Sequence, residues 1–301
     1  MTTRAATAAR DDGRPDSAAP PPGAADAPLP PAMAAKASDL GAAKAGLDAQ
    51  RTFVLAVLAG AFIALGAMFA TVVTAGGAEV PFGINRLAGG VVFSLGLVLV
   101  VVAGAELFTG NNLIVMAWAD RRISLAQLLR NWGIVYAGNL VGAVATALLV
   151  FAARQYEFGD GAVGANVLAI ADAKTSLGWG QAVALGVLCN ALVCLAVWLS
   201  YAARTVTDKV LAVIFPITAF VAAGFEHSVA NMYFLPIGLL VKEELPEGAA
   251  HPDLTLSNAV LDNLVPVTLG NIFGGAVMVG LVYWLVYRRP AGRPQGDRPA
   301  R

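Results

Sequence analysis

Glu226 and His227 stand side by side in the run Phe225-Glu-His-Ser-Val-Ala-Asn-Met-Tyr-Phe-Leu-Pro-Ile-Gly-Leu239. A carboxylate and an imidazole here interrupt a stretch, residues 210–241, that is otherwise free of Asp, Glu, Lys, Arg and His. Placing such a group at membrane depth costs roughly 2.5–3.5 kcal/mol on insertion scales, so these groups persist mostly where they face a bundle interior or a watery path. His227 is the member of the pair that titrates near neutral pH. Residues 87–119 repeat the pattern with a single charge, Glu106, and each glutamate lies five residues before an asparagine, Asn111 and Asn231. The spacing predicts two breaks in membrane-spanning helices, with the glutamates bracing the freed backbone and His227 lining a conduit.

The elements that would carry these residues follow from composition. The chain is 57% hydrophobic and 13% charged, about half the charge of an ordinary soluble domain, which is roughly 25%. Its net charge of zero argues against a nucleic-acid partner. Cys189 and Cys194 lie in one apolar run and offer neither a disulfide framework nor a metal site; no cofactor is implied. Residues 1–50, rich in Ala, Pro, Asp and Gly, are expected to form a disordered tail, with room for a short helix over Ala34–Gln50 and with no secretory signal peptide. Residues 51–289 form the membrane domain, and 290–301 a second tail.

Uncharged runs at 52–78, 131–153, 175–203 and 263–287 each supply the ~20 residues needed to cross a bilayer. The two long runs that hold Glu106 and Glu226 each read as one discontinuous span, which gives six in all. Lys and Arg number six in residues 1–51, three in 120–130, two in 204–209 and five in 288–301. The alternate connections hold four: Arg86, Arg154, Lys174 and Lys242. This asymmetry places both termini in the cytoplasm; the expected location is the inner membrane.

Two segments match across the halves. Asn131-Trp-Gly-Ile-Val-Tyr-Ala-Gly-Asn-Leu-Val-Gly-Ala opens the third span, and Asn263-Leu-Val-Pro-Val-Thr-Leu-Gly-Asn-Ile-Phe-Gly-Gly opens the sixth. Asn, Val, Gly, Asn and Gly coincide. Because the third span runs outward and the sixth inward, the halves form an inverted 3+3 repeat, a common transporter architecture. The paired glycines allow close helix approach, and Asn139 and Asn271 can bond across it.

Ala105-Glu-Leu-Phe-Thr-Gly-Asn111, Asn131-Trp with Gly138-Asn, Asn190-Ala-Leu-Val-Cys-Leu-Ala-Val-Trp198, Phe225-Glu-His-Ser-Val-Ala-Asn231 and Asn263-Leu-Val-Pro-Val-Thr-Leu-Gly-Asn271 together resemble the formate/nitrite transporters, most of all their formate-channel branch. The resemblance spans about residues 50–289. It implies an all-α integral membrane fold with an aquaporin-like protomer, broken second and fifth helices and a homopentamer in which each protomer has its own pore. It further implies an Ω-shaped loop over Glu106–Asn112 and a central His227 approached by Thr109. The pore constrictions would be Phe93 and Phe220 on the outer side and Leu97, Leu107 and Val193 on the inner. Asn190 would line the pore, and Lys174 would draw anions into a vestibule. Glu106, Asn111, Glu226 and Asn231 would support the loops.

The expected activity is transport of small monovalent anions, formate first and nitrite with it, coupled to a proton at His227. A bare carboxylate is very costly in apolar surroundings, so neutralising it in the pore would ease its passage. A charged His227 that attracts the anion without transferring a proton is the alternative mechanism. Hydrosulfide and short monocarboxylates such as acetate or lactate are alternative substrates. An aquaporin-like channel for neutral solutes is a different class, and so are a membrane enzyme or redox subunit and a scaffold without transport. The paired Asn-Pro-Ala loops of aquaporins are missing from the chain. The chain is not expected to be an enzyme, because its two histidines, one of them the outer-loop His251, make no ligand cluster.

Overall fold

The computed structural model describes residues 26–77 and 80–289, and these are helical almost throughout. The expected tail segments 1–25 and 290–301 lie outside the described residues. Ten helices organise the rest: α1 (Pro30–Ala45), α2 (Ala49–Thr74), α3 (Phe82–Gly104), the short α4 (Val115–Ala119), α5 (Leu125–Ala152), α6 (Ala162–Thr175), α7 (Trp179–Ala202), α8 (Val206–Ala222), α9 (Ser228–Glu244) and α10 (Leu256–Tyr287).

Five of these, α2, α3, α5, α7 and α10, are long and apolar enough to cross a membrane. Large apolar side chains such as Leu149, Phe215 and Leu261 face outward, as a lipid-facing surface requires. Local chemistry explains where several helices begin. Asp48 caps α2 by accepting from the Arg51 N–H. Ser124 with Gln127, and Thr205 with Asp208, form reciprocal capping boxes at α5 and α8.

The backbone breaks near both glutamates. α3 ends in a widened turn over Val100–Gly104, where Gly104 adopts φ +82°, a conformation that glycine adopts without strain. Ala105 is extended, residues 105–107 have no regular structure, Phe108 and Thr109 form a turn with Thr109 in helical conformation, and Gly110–Ile114 is a tight 3-10 turn leading into α4. The expected loop Glu106–Asn112 closes on this 3-10 turn, which holds Asn111 and Asn112; the Asn111 N–H reaches the Leu107 carbonyl at 2.8 Å. The second break separates α8 from α9, each of 17 residues.

α2 packs along α5 and α3, and α7 packs along α10 and α8. Small residues make the first contact in each set possible. A Cβ on Gly142 would lie 1.9 Å from the Val57 carbonyl oxygen, and one on Gly274 2.1 Å from that of Val187.

The chain departs from the expected boundary at residue 50. Pro30 and Pro31, suited to a first helical turn, open α1, and Met33, Ala34, Ala37 and Gly41 are buried. They pack with Ile114, Met116, Ala117 and Trp198. The alanine-rich composition that reads as tail is the composition that lets α1 lie close to the 3-10 turn: the Cβ of an alanine at Gly41 would be 3.3 Å from the Ile114 Cα.

Candidate functional site

The Glu106 break is held by side chains that answer its unpaired backbone. The Glu106 N–H donates to the Leu55 carbonyl at 3.2 Å. Asn139 accepts from the Phe108 N–H at 2.9 Å and donates to the carbonyls of Ala56 and Glu106 at 2.7 and 2.9 Å. The Glu106 carboxylate pairs with Lys44 at 3.0 Å and accepts from Asn111 at 2.6 Å. Asn111 also donates to Asn131, which in turn donates to the Lys44 carbonyl.

The same set recurs at the second break. The Glu226 N–H donates to the Leu185 carbonyl at 3.3 Å. Asn271 accepts from the Ser228 N–H and donates to the carbonyls of Gly186 and Glu226. Glu226 pairs with Lys174 at 2.7 Å and accepts from Asn231 at 2.6 Å. Asn231 donates to Asn263, and Asn263 to the Lys174 carbonyl. Each of these bonds of the first set thus has a partner in the second; the first adds one from Lys44 Nζ to Asn111 Oδ1 at 2.9 Å, whereas Asn231 Oδ1 has no hydrogen-bond partner among the described residues. The glutamates and asparagines brace backbone that no helix satisfies, as buried polar groups must.

The two sets differ where side chains could do chemistry. Leu107 follows Glu106, whereas His227 follows Glu226. His227 caps α9, its Nδ1 accepting from the Ala230 N–H at 3.0 Å. That contact makes Nδ1 an acceptor and places the ring proton on Nε2. Nε2 lies 2.9 Å from Thr109 Oγ1, so the imidazole donates to the hydroxyl. The Phe220 ring stacks on the imidazole at 5.8 Å, and Phe93 meets Phe220 edge-on at 5.6 Å.

Two cavities flank this point. One, of about 400 Å³, is bordered by Arg86, Phe93, Lys174, Phe220, Glu226 and His227 on the α6 side. The other, of about 440 Å³, is bordered by Lys36, Lys44, Leu97, Glu106, Leu107 and Lys209 on the α1 side. Phe93, Leu97, Leu107, Val193 and Phe220 are all buried in one continuous core. Lys174 also sits 5.2 Å over the Phe234 ring, which favours a cation.

Of the residues singled out in the sequence, Phe93, Lys174, Phe220, Glu226, His227 and Asn231 border the first cavity, and Leu97, Glu106, Leu107 and Asn111 the second. Asn190 is fully buried and, like Thr109 and Val193, borders neither cavity; its amide donates to the carbonyls of Thr109 and Asn271 and to Asn112, so it holds the Thr109 loop. Sequence reasoning missed Lys44, the counterpart of Lys174. The signal was present: Ala43-Lys44 with Leu47 repeats as Ala173-Lys174 with Leu177. Among the described residues, no group of three His, Cys, Asp or Glu side chains is arranged to hold a metal.

Two cavities, one of them bordered by a buried helix-capping imidazole, lie inside a bundle with apolar outer faces, the layout of a membrane transport protein. The formate/nitrite transporter family model matches residues 31–285, and the chain belongs to that family. It is 46% identical to the Formate channel FocA of Escherichia coli (strain K12) over 272 residues, covering 87% of this chain and 95% of that protein. It is 43% identical to a probable formate transporter of Methanothermobacter thermautotrophicus, covering 79% and 89%. Among solved structures, a pentameric formate channel with formate bound superposes with a TM-score of 0.75 at 46% identity, covering 79% of this chain and 97% of that one. An FNT family ion channel gives 0.73 at 32% identity, covering 85% and 98%.

Proposed function

We propose that the protein carries formate, and nitrite with it, across the inner membrane through a pore within each protomer of a homopentamer. The observation that carries this reading is the position of His227, whose imidazole borders one cavity while its Nε2 reaches the loop that borders the other. The family relationship and the formate-channel relatives supply the substrate class.

In this reading α8 and α9 together make one broken span, which with the five long helices gives six. The matched bond sets support an inverted 3+3 repeat, and the sixteen-to-four bias of Lys and Arg in the alternate connections supports cytoplasmic termini. The α6-side cavity is then the outer vestibule, closed by Phe93 and Phe220. The α1-side cavity is the inner vestibule, closed by Leu97, Leu107 and Val193. Lys174 lines the outer vestibule, Thr109 and His227 form the centre, and Glu106, Asn111, Asn190, Glu226 and Asn231 keep the loops in place.

Passage is coupled to a proton. An anion that reaches the centre displaces Thr109 from Nε2. With the ring doubly protonated, Nε2–H gives its proton to a formate oxygen, so neutral formic acid crosses the apolar constrictions and the neutral ring recovers a proton afterwards. Double protonation also puts a proton on Nδ1, where the Ala230 N–H already points, so α9 must yield its cap for each transfer. Flux should therefore rise as pH falls from 8 to 5. Formate uptake by proteoliposomes tests this at both pH values for wild type, H227N and H227F. The expected result is that both variants lose the pH dependence. Unchanged flux and unchanged pH dependence in both would sink the reading, and faster movement of glycerol than of formate would favour a neutral-solute channel.

A further inference from the structure

The two lysines nearest the pore are each neutralised by a neighbour. Lys174 lies 2.7 Å from Glu226, and Lys44 lies 3.0 Å from Glu106. A lysine tied to a buried carboxylate contributes little field at the distance of an approaching anion, because the pair is a dipole and not a charge. The net charge of each vestibule must come from another residue.

In the outer vestibule that residue is Arg86. It borders the cavity with Lys174 and Glu226 and is half-buried. Among the described residues no carboxylate lies within ion-pair distance of it. Its Nε and Nη2 donate to the carbonyls of Ala222 and Val221 at 3.0 and 2.6 Å, at the C-terminal end of α8, where a cation is favoured. Nη1 has no hydrogen-bond partner among the described residues, and a guanidinium keeps its charge at every working pH. The pinning fixes a full positive charge beside Gly224, at the mouth of the break that carries His227. The inner vestibule repeats the arrangement: Lys36 donates to the Tyr201 carbonyl near the end of α7 at 2.9 Å and borders the cavity with Lys209, neither of them paired with a carboxylate among the described residues.

We propose that Arg86, and not Lys174, supplies the net positive charge that concentrates small anions in the outer vestibule. Lys174 and Glu226 then serve as an electrically balanced brace. This rests on the reading of the protein as an anion conduit. A charged cleft with low-dielectric walls concentrates counter-ions and speeds their arrival, and the effect disappears as salt shortens the Debye length from ~30 Å at 0.01 M to ~3 Å at 1 M.

Proteoliposomes loaded for formate uptake at sub-saturating formate provide the test, with ionic strength set by a salt of an impermeant anion. R86Q should lower the initial flux about three- to tenfold at low ionic strength, with the gap closing at high ionic strength. R86K, which keeps the charge, should restore most of the flux. So should R86Q/A173K, which returns a charge to the cavity wall without rebuilding the α8 bonds; Ala173 is exposed on that wall. A173E, which cancels the cavity charge while leaving Arg86 untouched, should reproduce the salt-dependent loss and stands on its own should R86Q fail to assemble. Wild-type flux in R86Q at low ionic strength would overturn the inference. So would a loss that is equal at both ionic strengths and not rescued by A173K, since that pattern belongs to a purely structural pin. No formate flux from wild type would overturn the functional reading itself, and the inference with it.

Discussion

At the scale of the residue, His227 has both ring nitrogens committed, one to the head of α9 and one to Thr109. Thr109 is fully buried, and its carbonyl is held by Asn190 and by the Cys194 thiol at 3.3 Å each, so the hydroxyl is presented from a fixed backbone. T109V keeps the shape and removes the acceptor, leaving a buried N–H unpaired at a cost of about 1–3 kcal/mol. It should lower the melting temperature in detergent and reduce formate flux, whereas T109S should restore both; equal behaviour of T109V and wild type would detach Thr109 from the centre. His227 and Glu226 were visible in the sequence because charge inside a long apolar run is costly and therefore conspicuous. Lys44 is far less conspicuous: its one signal is the short repeat with Lys174, it sits among alanines in a stretch that reads as tail, and its carboxylate partner is Glu106, far away in sequence.

At the scale of the element, the two breaks were legible because a run of some 33 residues is too long for one span. Their detail was not: whether Gly110–Ile114 coils into a 3-10 turn depends on Trp132 and Asn139, which hold the Asn111 carbonyl and the Phe108 N–H from elsewhere in the chain. α1 escaped for a similar reason, since its burial is against residues more than sixty positions away. Glycines separate packing from tolerance within one helix. In α5, Gly142 meets the Val57 carbonyl, whereas nothing lies within 4 Å of a Cβ at Gly133. G142A must push α2 and α5 apart and should cost about 1–3 kcal/mol. G133A fills open space and should be neutral or stabilising, by up to about 1 kcal/mol from helix propensity. Thermal unfolding of the two variants in the same detergent checks the contrast, and equal melting temperatures would mean that the α2–α5 contact is not as tight as Gly142 suggests.

At the scale of the molecule, two matched networks enclose a centre that is not matched. Leu107 and His227 occupy equivalent places after their glutamates, so the scaffold is repeated and the chemistry belongs to one half. The Lys–Glu pairs at the two breaks should then behave alike in stability, differing only as their solvent exposure differs. The Lys174 side chain is 13% exposed and the Lys44 side chain 32%, and screening by water weakens the more open pair. K174M strands a buried carboxylate and should cost about 3–5 kcal/mol; removing its partner as well, in K174M/E226Q, should recover a good part of that loss, because the unpaired charge is what destabilises. K44M should show the same pattern at smaller size, with K44M/E106Q recovering it. The measurement is a pair of double-mutant cycles on thermal or denaturant unfolding, which isolates the coupling within each pair. Coupling present in both cycles and larger at Lys174 is the expected outcome. Additive losses in either cycle would mean that the lysine and glutamate at that break act independently, and the balanced braces that leave Arg86 as the outer vestibule's net charge would no longer be balanced.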